Sequence, residues 1–217
     1  MSQPQYVIIS GIDGSGKTTI IEGVRKELHS RGKSTCYVWL RYNHVLVKPI
    51  HAIGRLVGLS RRRSNEEGKI VWHHEFYRCR PFCGLYILLT YVDSLLGRLR
   101  IWNIARRAKP DVFICDRWVL DILIDLVIDT RRPALLRGGW PKMFTSILPE
   151  NTRQYLIKRD AKDILDARPE YCQDREFRFR QIIYDRLEKQ EGVTVINNNR
   201  SVSDAAELIV RDVDICN

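Results

Sequence analysis

The apolar positions of the chain fall into two patterns. Five short runs, at 6–10, 35–40, 111–116, 154–158 and 193–196, are nearly continuous in apolar residues. Short runs without alternation suit strands that are covered on both faces. Between them the apolar residues recur at three and four spacing. The stretch 17–31 sets Ile20, Ile21, Val24 and Leu28 on one face and stops at Gly32, a residue that readily ends a helix. The stretch 87–108 repeats through Leu88, Tyr91, Leu95, Leu99 and Trp102, and 175–191 and 203–213 read as two further helices. Strand–helix alternation of this kind predicts an α/β fold, a parallel sheet of about five strands with helices on both faces and right-handed crossovers. No repeat or linker interrupts it, so 1–217 is expected to be one domain.

Composition changes little in that picture. With 44% hydrophobic and 29% charged residues the chain reads as ordinary and globular. Its most apolar stretch, 84–102, carries Asp93, Arg98 and Arg100 and is expected to pack within protein rather than cross a bilayer. The start M-S-Q-P-Q lacks the layout of a signal peptide. A cytoplasmic protein without a membrane partner is the expectation, and a homodimer stays open. The six cysteines lack paired spacing and read as reduced and structural.

Charge is more informative. A net charge of +10 suits an anionic partner, whether nucleic acid, an anionic membrane surface or a phosphorylated small molecule, or simply aids solubility. Arg61 to Arg63 read as a solvated loop, and His73, His74 and Glu75 as a solvated helix face. No nucleic-acid module or aromatic–basic interleaving is present, which disfavours nucleic acid as the partner.

The specific chemistry lies in G-I-D-G-S-G-K-T-T, Gly11 to Thr19, between the first strand and the first helix. It satisfies G-x-x-x-x-G-K-[ST] in the context that pattern needs. Gly11, Gly14, Ser15 and Gly16 let successive backbone N–H groups turn onto an anion, and the helix N-terminus adds its positive end. Lys17 would reach the β- and γ-phosphates of a nucleoside triphosphate, with Thr18 as a Mg²⁺ ligand and Thr19 beside it. Lys17 is expected on a loop that faces solvent. An acid at Asp13, beside bound phosphates, should face something else, such as a hydroxyl of a second substrate.

These residues resemble the thymidylate kinase family of P-loop nucleoside monophosphate kinases. The likeness begins with G-I-D-G-S-G-K-T-T and continues in D-V-F-I-C-D-R-W, whose Asp116 and Arg117 match the family's Asp-Arg pair at a strand end. In V-W-L-R-Y, Arg41 stands where the family holds the acceptor's phosphate. The segment of about 160–178 takes the place of the mobile lid, and with no arginine inside the phosphate loop the resemblance implies lid arginines, Arg168 or Arg175. Asp116 would organise Mg²⁺ or orient the acceptor, and Arg117 with Arg41 would clamp its phosphate. The family's base-contacting Phe and Arg have two candidate positions here. Thr90 and Ser94 occupy the aligned helix, while Phe76 and Arg80 keep the spacing but lie upstream.

The resemblance therefore implies an ATP- and Mg²⁺-dependent phosphotransferase acting on dTMP or a related nucleoside monophosphate. A P-loop kinase of another small acceptor, a nucleoside or a non-nucleotide metabolite, is the alternative. A nucleotide-dependent nucleic-acid-binding protein is the reading from a different class.

Overall fold

A computed structural model describes residues 4–40, 45–64, 70–173, 175–199 and 201–214. In chain order the elements are β1 (Gln5–Gly11), α1 (Lys17–Ser30), β2 (Thr35–Trp39), α2 (Val47–Leu56), β3 (Ser60–Ser64), β4 (Ile70–His74), α3 (Arg80–Ala108), β5 (Val112–Asp116), α4 (Val119–Thr130), α5 (Gly139–Thr145), β6 (Thr152–Lys158), α6 (Ala161–Ala167), α7 (Arg175–Leu187), β7 (Val193–Asn197) and α8 (Val202–Asp214). Five strands form one sheet in the order β2-β5-β1-β6-β7, with every pairing parallel. These are the five apolar runs of the sequence. The fold is α/β, a five-stranded parallel sheet flanked by helices.

The strand period of two divides the core. Val7 and Ile9 of β1, with Ile114 of β5 and Ile157 of β6, face α1 and α8. Tyr6, Ile8, Phe113, Cys115 and Leu156 face the other way, into the layer that holds α3, α4 and α7. Both faces are covered, which is why these strands lack alternation in their sequence. Since β1 sits between β5 and β6, the carboxyl ends of all three open on one edge, where open α/β sheets bind ligands.

Several elements depart from the sequence pattern, each for a physical reason. Helix α4 is apolar on all sides, with Leu120, Leu123, Ile124, Leu126 and Val127 fully buried, so it has no period to read. Helix α3 starts seven residues earlier than the periodic stretch. Arg61 to Arg63 lie in a strand rather than a loop, since β3 pairs antiparallel with β4 in a two-stranded hairpin. Arg61 and Arg62 remain exposed, and Arg61 meets Glu75 at 2.9 Å. His73 and His74 are on β4, not a helix face. His74 stacks on His51 at 4.2 Å and on Phe76 at 4.9 Å, and burial there pushes its pKa down to about 4.

By length and composition α3 is the one helix among the described residues that could cross a bilayer. Its inner face buries Tyr86, Ile87 and Ile101, while Leu88, Leu99 and Trp102 are exposed on the outer one. Asp93 is buried within it, accepting hydrogen bonds from the backbone N–H groups of Val45, Leu46 and Val47 at 2.9–3.2 Å. A carboxylate on α3 thereby caps α2 from outside.

Candidate active site

The glycine-rich loop, Gly11 to Gly16, runs from the end of β1 into α1. Gly14 and Gly16 have φ of 91° and 90°, left-handed values that a residue with a Cβ adopts only under strain. Gly16 is the N-cap of α1 and carries no capping side chain. Lys17 opens the helix, but it does not face solvent as expected. It is 7% exposed and its Nζ donates to the Ile12 carbonyl at 2.7 Å. Burial first, then the nearby Arg117 guanidinium, lowers its pKa to about 8. Thr18 and Thr19 are exposed at the start of α1.

Asp116 and Arg117 stand at the end of β5, next to β1. Arg117 has φ 64°, an uncommon value for a residue with a long side chain. Its N–H donates to Ile9 at 2.9 Å, which pins that turn to β1. The guanidinium is buried between two acids. It donates to Asp121 of α4 at 2.7 Å and pairs with Asp13 of the phosphate loop. Asp121 also accepts from the Tyr184 hydroxyl of α7 at 2.9 Å. Phosphate loop, β5, α4 and α7 thus meet in one polar chain.

Asp116 has one oxygen engaged and one not. Tyr37 of β2 donates its hydroxyl to Oδ2 at 3.0 Å. Oδ1 is buried and has no hydrogen-bond partner among the described residues. Desolvation raises the Asp116 pKa, opposed by Tyr37, Lys17 and Arg117. A buried carboxylate oxygen left unpaired is costly unless a cation or water meets it. Among the described residues there is no cluster of three or more acidic, His or Cys side chains that could cage a metal. Mg²⁺ keeps several waters and binds through one or two protein oxygens plus substrate phosphates. Asp116 and Thr18 fit it in chemistry.

Helix α6 lies against the glycine-rich loop. A Cβ on Gly14 would stand 3.2 Å from Arg168 Cγ and 3.2 Å from Ile164 Cγ2, so α6 packs tightly over this glycine. Arg168 ends α6 with φ −142° and ψ 73°, outside the helical region that the following Pro169 disfavours. Arg175 opens α7, and its side chain lies outside the described residues, as does the whole of Arg41.

The base-contact candidates are occupied elsewhere. Phe76 has no exposed surface and is enclosed by His51, His74, Phe82 and Tyr86. Arg80 is exposed at the first turn of α3. Thr90 and Ser94 are buried and donate to the carbonyls of Tyr86 and Thr90, four residues back.

Sequence reasoning missed Tyr37, Asp121, Arg159 and Asn198. Arg159 donates to the Gly14 carbonyl at 3.1 Å and Asn198 to that of Ser15 at 2.8 Å. Both follow strands that flank β1 in the sheet, β6 directly and β7 beyond it. Their position after a strand's carboxyl end was the available signal. The chain matches no known protein-family profile, and no curated protein matches it in sequence.

Proposed function

We propose that the protein is an ATP- and Mg²⁺-dependent phosphotransferase of the nucleoside monophosphate kinase type, similar to thymidylate kinases. The carrying observation is the bridge from Asp13 to Arg117, which sets an acid and a buried guanidinium beside Lys17 at the phosphate loop. A phosphorylated acceptor would exchange with Asp13 for the Arg117 guanidinium and offer that carboxylate a hydroxyl to accept from.

In this reading the glycine loop and the N-terminus of α1 hold the phosphates of ATP. Thr18 and Asp116 would hold Mg²⁺, which would supply neutralising charge to the phosphates. Lys17 is largely protonated at neutral pH and meets the same charge from the protein side. Arg117 aligns the acceptor's phosphate, whose oxygen attacks the γ-phosphorus as the bond to the β-bridging oxygen breaks. Arg168, carried by α6 across Gly14, neutralises charge on the moving phosphoryl group. Positioning and charge are most of what this reaction asks of a protein.

A second reading keeps the reaction and changes the acceptor. The enclosure of Phe76 and the internal hydrogen bonds of Thr90 and Ser94 favour a substrate without thymine, another nucleotide or a small phosphorylated metabolite. An acceptor screen with ATP and Mg²⁺, read by ADP release, tests both. Release stimulated by dTMP supports the first reading, a different acceptor the second, and no acceptor-dependent release removes the proposal.

A further inference from the structure

Two consecutive carbonyls of the phosphate loop are held from outside. Arg159, just past β6, donates to Gly14, and Asn198, just past β7, donates to Ser15. Asn198 is the better built of the two. Its side chain is 8% exposed, its own N–H is tied to the Lys158 carbonyl at 2.8 Å, and it fills the space against Gly16. A Cβ on Gly16 would lie 2.3 Å from Asn198 Nδ2, so glycine at 16 and the amide at 198 fit as a pair. The neighbouring Asn199 accepts the Asp160 N–H at 2.9 Å, where α6 begins. One short turn therefore grips the phosphate loop and the root of the lid.

A trans peptide is planar, so its C=O and the following N–H point in opposite directions. Holding the Ser15 carbonyl outward turns the Gly16 N–H the other way, toward the concave side of the loop. We infer that Asn198 is a positioning residue for phosphate binding, acting through the Ser15 carbonyl to hold the Gly16 N–H at the anion. This rests on the nucleotide-binding reading above. Only a donor serves, because the group it faces is an acceptor.

Two replacements of similar size separate donation from packing. Asn198→Leu fills the space without a donor. Asn198→Asp has the same shape but sets an acceptor against the Ser15 carbonyl until it is protonated. MgADP is the probe, titrated by calorimetry, with each variant compared with the unaltered protein at the same pH and folding checked by circular dichroism. At pH 7.5 Asn198→Leu should bind about tenfold more weakly, the effect of one lost hydrogen bond at a buried group, and Asn198→Asp more weakly still. On lowering the pH to 5, Asn198→Asp should regain affinity beyond that of Asn198→Leu, as its carboxyl becomes a donor. Protonation that merely removed a negative charge would bring it only level with Asn198→Leu. Near-normal binding by Asn198→Leu, or no gain of Asn198→Asp over it at low pH, overturns the assignment. If the unaltered protein fails to bind MgADP, the nucleotide reading itself falls.

Discussion

The side chain of Arg168 lies across Gly14, with its Cγ 3.2 Å from where a Cβ on that glycine would stand. The residue is exposed, and its stem packs against the loop. Arg168→Ala should lower turnover by roughly 10³-fold or more with little change in substrate affinity, as loss of a charge acting mainly in the transition state does. Single-turnover transfer at saturating substrates measures it. A rate within a few fold of normal would leave the charge to another group.

Gly14→Ala tests the same contact from the other side. The new methyl meets Arg168 and Ile164 at a backbone φ of 91°. The variant should bind ADP more weakly and turn over more slowly, and Arg168→Ala should add little to it. Additive effects of the two would show that they act separately.

Arg117 carries structure as well as chemistry. It is buried with Asp121, which is 2% exposed, and removing one member of a buried pair strands the other charge. Arg117→Ala should therefore destabilise the fold by about 3–5 kcal/mol, read from urea denaturation, besides impairing use of the acceptor. Asp13→Asn, at the more exposed end of the chain of charges, should leave stability within about 1 kcal/mol and affect acceptor affinity more than ATP affinity.

Lys17 gives a pH-dependent test. Its pKa falls from 10.5 to about 8 in the folded protein, so between those values the unfolded chain holds a proton that the folded one lacks. Stability from this group is lowest below pH 8 and rises as pH climbs toward 10.5. Lys17→Met removes the buried charge. It should be more stable than the unaltered protein at pH 7, with a margin that shrinks by pH 10. The same variant should lose about a hundredfold or more in transfer rate. A less stable variant at pH 7 would mean that the bond to Ile12 outweighs the cost of burial.

Asp116→Asn should raise the Mg²⁺ concentration needed for half-maximal activity more than it alters ATP affinity. The unpaired Oδ1 is the motive. A Mg²⁺ dependence that does not move would assign Asp116 to the acceptor instead.

Much of the sheet was legible because a strand covered on both faces leaves a run such as Y-V-I-I-S, and the turn from β1 into α1 because of the glycines in G-I-D-G-S-G-K-T. Helix α4 was not, since a helix buried all round has no period. The hairpin was hidden by R-R-R, which reads as solvent until Glu75 and an antiparallel partner are present. Asp13 was singled out for facing something other than phosphate, and its partner here is Arg117. Asp121 lies only four residues after Arg117, but Tyr37 and Asn198 join the site only through contacts 79 and 183 residues apart. Local sequence carries no sign of such contacts.

The most direct test of the central claim follows the phosphorus itself. The protein is incubated with ATP, Mg²⁺ and dTMP, and the products are resolved by phosphorus NMR. Transfer predicts matched appearance of ADP and a new diphosphate on the acceptor, lost in Lys17→Met. If dTMP and every other nucleoside monophosphate remain unchanged while ATP is intact or yields only inorganic phosphate, the protein is not a nucleoside monophosphate kinase.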